Sequence, residues 1–331
     1  MVFVQRSRGF IAVALLALGS VAACTVRAVS MPGTSYAGPE AQPDPALVAR
    51  LNADVTQLAA GFGERNVTNQ PAALEQTAAW LRTRLEGLGY VVQEEPIKVG
   101  ERTTKNLIVE RRGRGLATQL VLVGAHYDTA HGTPGADDNG SGVAVALALA
   151  EIFSTRTPER TVRFIFFTNE EPPHFRTTSM GSVVNAGACR GRHDDVKAML
   201  SLETLGYFSD EAGSQRYPWP LSLVYPSQGN FVAFVGNVES RELVRDCVRT
   251  FRAMAQVPSE GASLPGSLEG VDFSDHAPYW KYGYPALMVT DTALFRNPHY
   301  HEPTDVPARV DFRRLALVTE GLISVVESLA Q

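Results

Sequence analysis

Phe164-Ile165-Phe166-Phe167 is an unbroken apolar run, and directly after Thr168 and Asn169 it gives way to two adjacent acids, Glu170 and Glu171. A run rich in aromatic and branched residues reads as a buried strand. Carboxylates held together at the end of such a strand raise each other's cost of ionising. A cation removes that cost, so the fold has to bring one, with further ligands, to this strand end. The chain contains the other parts of a cation site in His126-Tyr127-Asp128, Gly135-Ala136-Asp137-Asp138-Asn139-Gly140-Ser141-Gly142, Leu202-Glu203-Thr204 and Tyr300-His301.

The surrounding pattern alternates. Leu74, Ala78, Leu81 and Leu85 recur at helical spacing and predict helix over 45–88. Strands are predicted at 91–99, 105–111 and 119–125, then a helix at 141–153, a strand at 161–168, a helix at 181–190 and a strand at 197–202. A strand at 231–235, a helix at 240–255, a strand at 286–290 and a closing helix at 311–329 follow. Leu120-Val121-Leu122-Val123 is apolar without alternation, as expected of a strand covered on both faces. These features imply an α/β fold, a three-layer α/β/α sandwich with a mixed, mostly parallel central sheet. The stretch 208–230, rich in Pro, Tyr and Gly, reads as a long loop near the site. One catalytic domain is expected over 45–331.

The net charge of −5 argues against nucleic acid as a partner, and no repeat of solenoid or propeller period is present. Arg6 and Arg8, the apolar stretch 10–18 and the small residues before Cys24 describe an export signal over 1–24. Val21-Ala22-Ala23-Cys24 also resembles a bacterial lipoprotein signal, in which the cysteine is lipidated; the alternative is an ordinary cleaved signal. The expected location is therefore periplasmic or on the outer surface, with membrane contact only through a lipid at Cys24. Residues 25–44 read as a linker. Cys189 and Cys247 either pair in the oxidising compartment or remain separate buried thiols.

The candidate ligands obey the rule that functional groups in open α/β sheets gather at the carboxyl ends of strands. His126 closes one predicted strand, Glu170 and Glu171 the next, and Glu203 the one after. Imidazole with carboxylates suits zinc or a similar metal, and a pair of ions needs a bridging carboxylate, for which Asp138 is well placed. Asp128, two residues past His126, is either the carboxylate that orients its ring or a turn residue. Of the two glutamates, one is expected to ligate and the other to remain free for proton transfer.

In this order the motifs resemble the co-catalytic di-zinc exopeptidases, metallopeptidase family twenty-eight, over about residues 70–325. That family includes secreted bacterial aminopeptidases, glutamate carboxypeptidase and glutaminyl cyclase. The resemblance implies two Zn2+ ions, with His126 on one, His301 on the other and Asp138 between them. It implies Glu170 as general base, Glu171 and Glu203 as ligands, and Tyr300 as a stabiliser of the tetrahedral oxyanion. Ser274-Asp275-His276 matches a family segment near the substrate pocket and is expected to support rather than ligate. Many members carry Asp where this chain has Glu203, whose extra methylene puts the tightness of that position in doubt.

The activity implied is an exported aminopeptidase acting on peptides with a free N-terminus. The alternatives are a glutaminyl cyclase-like transferase, a carboxypeptidase using Arg176, Arg190 or Arg192, and a non-catalytic binding relative. His131, His174, His193 and His299 read as loop or surface residues, Asp137 as a support for its loop, and Phe208, Tyr217, Trp219 and Tyr225 as walls of an apolar pocket. Oligomeric state is not legible.

Overall fold

The computed structural model describes residues 28–39 and 41–331; the export signal and Cys24 lie outside them. Two helices, α1 (Pro45–Thr56) and α2 (Pro71–Gly87), precede the hairpin β1 (Gln93–Val99) and β2 (Arg102–Arg111). The chain continues through β3 (Leu116–His126), α3 (Gly142–Ser154), β4 (Arg160–Phe167), α4 (Gly181–Arg192) and β5 (Asp195–Glu203). The second half holds β6 (Val232–Gly236), α5 (Arg241–Met254), β7 (Ser259–Ser263), α6 (Ala277–Trp280), β8 (Ala286–Thr290), α7 (Ala293–Arg296) and α8 (Phe312–Leu329).

The strands form one eight-stranded sheet in the order β1-β2-β4-β3-β5-β8-β6-β7. The run β4-β3-β5-β8 is parallel, as is β6-β7, while β1-β2, β2-β4 and β8-β6 are antiparallel. The apolar strands alternate between two cores. Val121, Val123, Phe164 and Phe166 enter the large core with α1, α2, α3, α5 and α8, and Leu120, Leu122, Ile165 and Phe167 face α4 and α6. Both faces are covered, which is why these strands show no polar alternation. The long outer helices begin at side-chain caps: Asp44 accepts from the Ala46 N–H, and Asp311 from those of Arg313 and Arg314.

The helix predicted over 45–88 is two helices. A wider turn at Gln57–Phe62 ends at Gly63, whose φ of +71° reverses the chain. The turn delivers Arg65 into the interior with no exposed surface. Its guanidinium donates to the carbonyls of Leu58, Gly63, Tyr127, Pro134 and Gly135. Burial pulls Arg65 down to about 10, against the opposing pull of Asp128, Asp305, Asp138 and Glu171. Helical periodicity carries no signal for this break, because both pieces keep the same apolar spacing.

Strand β7 was not predicted. Ser-Glu-Gly-Ala-Ser has little strand propensity, and pairing with β6 makes it a strand. The segment read as a linker touches the domain beside it: Arg252 donates to the carbonyls of Pro32 and Gly33, and the Ser259 N–H donates to Ser35 Oγ. Cys189 and Cys247 are free buried thiols in different cores, one on each side of the sheet. Among the described residues no helix is long and apolar enough to cross a membrane.

Replacing Arg65 by Met removes a buried charge and leaves five carbonyls without their donor. Denaturant unfolding is expected to show a loss of about 3 kcal/mol or more. A change below about 1 kcal/mol would show that water replaces the guanidinium at no net cost.

Candidate metal centre

Neighbouring residues on a strand point to opposite faces, so Glu170 and Glu171 serve one site only if the strand ends first. It ends at Asn169, which takes a left-handed φ of 60° and ties its amide to Thr104 Oγ1 and the Ser179 carbonyl. The Asp128 carboxylate then accepts from both backbone N–H groups, Glu170 at 3.1 Å and Glu171 at 3.2 Å. Asp305 repeats the device on the opposite loop, accepting from the N–H groups of Asp137 at 2.9 Å and Asp138 at 3.1 Å. Asn139 joins that loop to β5, donating to the Leu202 carbonyl and accepting from the N–H of Thr204. Asp137 accepts from the Gly206 N–H and from Asn297, hydrogen bonds that hold its loop in place.

These clamps bring the predicted ligands together in two groups that share Asp138. His126 Nε2 lies 3.4 Å from Asp138 Oδ1 and 3.4 Å from Glu203 Oε2. His301 Nε2 lies 3.0 Å from Asp138 Oδ2 and 3.2 Å from Glu171 Oε2. His126, Asp138 and Glu171 offer ligand atoms all within 4.8 Å of one another. The two imidazole nitrogens and both Asp138 oxygens are buried without a hydrogen-bond partner among the described residues. A tetrahedron with zinc–ligand bonds of about 2.1 Å has edges of about 3.4 Å. Orphaned donor atoms at such spacings fit metal ions, and zinc suits the nitrogen and oxygen set.

Glu170 differs from its neighbour. Glu171 Oε1 accepts from the Ala130 N–H, whereas the nearest cationic partner of Glu170 Oε2 is His126 Nε2, 3.9 Å away. Glu203 accepts from Ser274 Oγ at 2.7 Å, and that hydroxyl also meets Ser201 Oγ. Asp128 Oδ1 is 3.6 Å from His126 Nδ1, close enough to bias the ring but too long for a hydrogen bond. Tyr300 stacks on His301 with ring centroids 3.9 Å apart. His301 itself has φ of 59° and Thr204, next to Glu203, 47°. Together with Asn169, half of the six left-handed non-glycine residues described lie at or beside the site, the usual location of stored backbone strain.

The electrostatics reflect this crowding. Burial pushes Glu170 well above the usual carboxylate range, with Glu203, Glu171 and Asp275 adding to it, and raises Glu171 to about 8. Burial alone would push both imidazoles down, but the carboxylates around them hold His126 well above its ordinary value and His301 at about 11. Asp138 is driven far down, because His126 and His301 outweigh its burial. Asp275 of the predicted supporting segment is fully buried and raised by that burial to about 7.

A pocket opens beside Glu203 and Tyr300, about 840 Å³ counted out to its mouth. Tyr217 and Tyr225 of the long loop line it, as predicted, but Phe208 and Trp219 do not, and Trp219 is 82 % exposed. Among the described residues no Arg, Lys or His lines it. Arg176 pairs with Asp272 and Arg192 with Asp194 instead. His131 and His193 are exposed, His174 bonds Ser179, and His299 bonds Thr304. Arg65 and Asp305 went unpredicted: a lone arginine before a helix and an acid four residues past His301 look like ordinary turn residues.

Residues 106–326 match the model of peptidase family M28. The uncharacterized protein YfbL of Escherichia coli is 36 % identical over 76 % of this chain and 79 % of its own. A probable leucine aminopeptidase of Trichophyton verrucosum is 26 % identical over 65 % of this chain, which spans only 54 % of that protein. Among solved structures, the zinc aminopeptidase BSAP of Bacillus subtilis superposes with a TM-score of 0.67 at 14 % identity, over 85 % of this chain and 94 % of its own. Porphyromonas gingivalis glutaminyl cyclase gives a TM-score of 0.65 at 20 % identity, over 85 % and 98 %; both show a shared fold. The family match covers every candidate ligand and the sheet from within β2 onward, and with the YfbL relationship it places this chain in peptidase family M28.

Proposed function

We propose that the protein is an exported, zinc-dependent aminopeptidase, held at a membrane by a lipid on Cys24 and acting on peptides with a free N-terminus. The observation that carries this reading is the convergence of His126 and His301 on the two oxygens of Asp138, with Glu203 and Glu171 flanking them and Glu170 farther off, 3.9 Å from His126 Nε2. His126, Asp138 and Glu203 would hold one Zn2+, and His301, Asp138 and Glu171 a second. Bound there, the ions supply Lewis acidity to the scissile carbonyl and a lowered pKa to the attacking water.

The protein's own groups do the rest. Glu170 takes the proton of the water as its oxygen bonds to the carbonyl carbon. Tyr300 donates to the oxygen on which negative charge develops. Glu170 then hands its proton to the leaving nitrogen as the C–N bond breaks, and both products depart with atoms and charge balanced. Asp128 keeps the Glu170-Glu171 backbone and the His126 ring in place. The substrate ammonium lies against Glu203, and internal peptide bonds, which lack that group, are not cut.

Mass spectrometry of products from the zinc-loaded protein tests this reading. Peptides with free N-termini are expected to lose one residue at a time and N-acetylated copies none. Glu170→Gln is expected to retain zinc and slow the reaction by about a thousandfold. Ammonia loss from peptides beginning with Gln, without hydrolysis, would make the protein a cyclase. No product from any peptide would overturn the enzymatic reading in favour of a binding protein.

Zinc is also expected to stabilise the fold by mass action. At a thousandfold excess over Kd the gain is about 4 kcal/mol, on the order of 10 °C in Tm for a domain of this size. Differential scanning calorimetry with zinc and with a chelator measures it. An unchanged Tm would contradict zinc binding at these buried ligands.

A further inference from the structure

Glu203 begins a row of four residues that crosses the sheet. The strand register pairs Glu203 with Thr290, Thr290 with Ala233, and Ala233 with Glu260. Laterally paired residues share a face, so two glutamates stand on one side of the sheet, three strand spacings or about 14 Å apart. Only Thr290 and Ala233 lie between them, and all four residues line the pocket described above. The opposite face of β6 is occupied: Phe234 packs on Phe251 of α5. The row is therefore the floor of a trough, low in the middle and acidic at both ends.

Among the described residues, three glutamates line this pocket, Glu203, Glu260 and Glu269, and no cationic residue does. The nearest cation to Glu260 is Arg252, at 3.6 Å. That guanidinium already donates to the carbonyls of Ser259, Pro32 and Gly33. Among the described residues none donates a hydrogen bond to the Glu260 carboxylate, and its side chain keeps 25 % of its surface exposed. Burial raises Glu260, and Arg252 offsets this only in part. A carboxylate in this position is half-desolvated and has lone pairs to spare.

We propose that Glu260 selects substrates whose N-terminal residue is lysine or arginine, with the side-chain cation on Glu260 and the α-ammonium at Glu203. The proposal rests on the aminopeptidase reading for the Glu203 end. The lengths agree. An extended path from α-nitrogen to side-chain nitrogen, six bonds in lysine and seven in arginine, spans about 8–9 Å. Two hydrogen bonds of about 2.9 Å bring the span to about 14 Å, which matches the backbone spacing of the two ends, from which both glutamates rise on one face. The aromatic walls, Phe231, Phe273, Phe295 and Tyr225 among them, suit the aliphatic stem and the face of a guanidinium. Norleucine fills the same trough but leaves Glu260 with only the 3.6 Å contact to Arg252, and ornithine falls one bond short of lysine.

The test compares kcat/KM for arginyl, lysyl, ornithyl, norleucyl and leucyl p-nitroanilides with the zinc-loaded protein and with Glu260→Gln. Arginyl and lysyl substrates are expected to exceed norleucyl by about tenfold or more, as for one partly buried ion pair, with ornithyl in between. In Glu260→Gln the arginyl-to-norleucyl ratio is expected to fall by about the same factor. Norleucyl or leucyl substrates equalling arginyl, or a ratio unmoved by Glu260→Gln, would overturn the proposal and leave the aminopeptidase reading standing. Hydrolysis of none of these substrates would sink the aminopeptidase reading instead. Calorimetric titration with argininamide and norleucinamide then decides the pocket: tighter argininamide binding that Glu260→Gln abolishes supports the proposal, and equal binding ends it.

Discussion

Asp138 presents one oxygen to His126 and the other to His301, and the rest of the structure is arranged around that shared carboxylate. Its sharing requires several acids to be buried within a few ångström of one another, which proteins tolerate only where cations compensate. The same requirement explains the clamps. Asp128 and Asp305 each hold two successive backbone N–H groups, so each ligand loop is fixed through its main chain, not only through its side chains. Arg65 supplies a buried positive charge beneath the Asp137-Asp138 loop and ties its carbonyls at Pro134 and Gly135 to that of Tyr127, beside His126. The left-handed backbone at Asn169, Thr204 and His301 is the conformational cost of aiming ligands inward, and these surrounding contacts hold it.

Much of this was legible in the residues because strands and ligands are coupled. Apolar runs without alternation at 120–123 and 164–167 read as central strands, and a histidine or acid that closes such a run lies at the carboxyl end of the sheet where sites form. His126, Glu170, Glu171 and Glu203 were found this way, and the geometry brings them together with Asp138 and His301. The break between α1 and α2 does not show in the apolar period, which both helices share; its marks are Gly61, Gly63 and Pro71, residues that end or begin helices. β7 was not legible, because its strand character comes from a neighbour and not from its own side chains. Arg65 and Asp305 act through backbone carbonyls and N–H groups, which no side-chain pattern records. Asp128 was read as orienting His126; the structure shows a larger part of its role in holding the Glu170 and Glu171 backbone.

The pocket joins the chemistry to the sheet. Glu203 is a candidate ligand and also the first residue of a transverse row, so the floor formed by Thr290 and Ala233 leads away from the candidate metal centre. That floor exists because β8 inserts between β5 and β6, a crossover that residue periodicity does not reveal. The Glu203 side chain has its own anchor: Ser274 donates at 2.7 Å to Oε2, the same oxygen that faces His126.

The central claim is that Asp138 is shared between two cations. A crystal structure of the zinc-loaded protein, with anomalous scattering measured across the zinc edge, tests it most directly. The expected result is two zinc peaks about 3.5–4 Å apart, one between His126 and Glu203, the other between His301 and Glu171, with Asp138 bonded to both. A single peak, or two that do not share Asp138, would contradict the account.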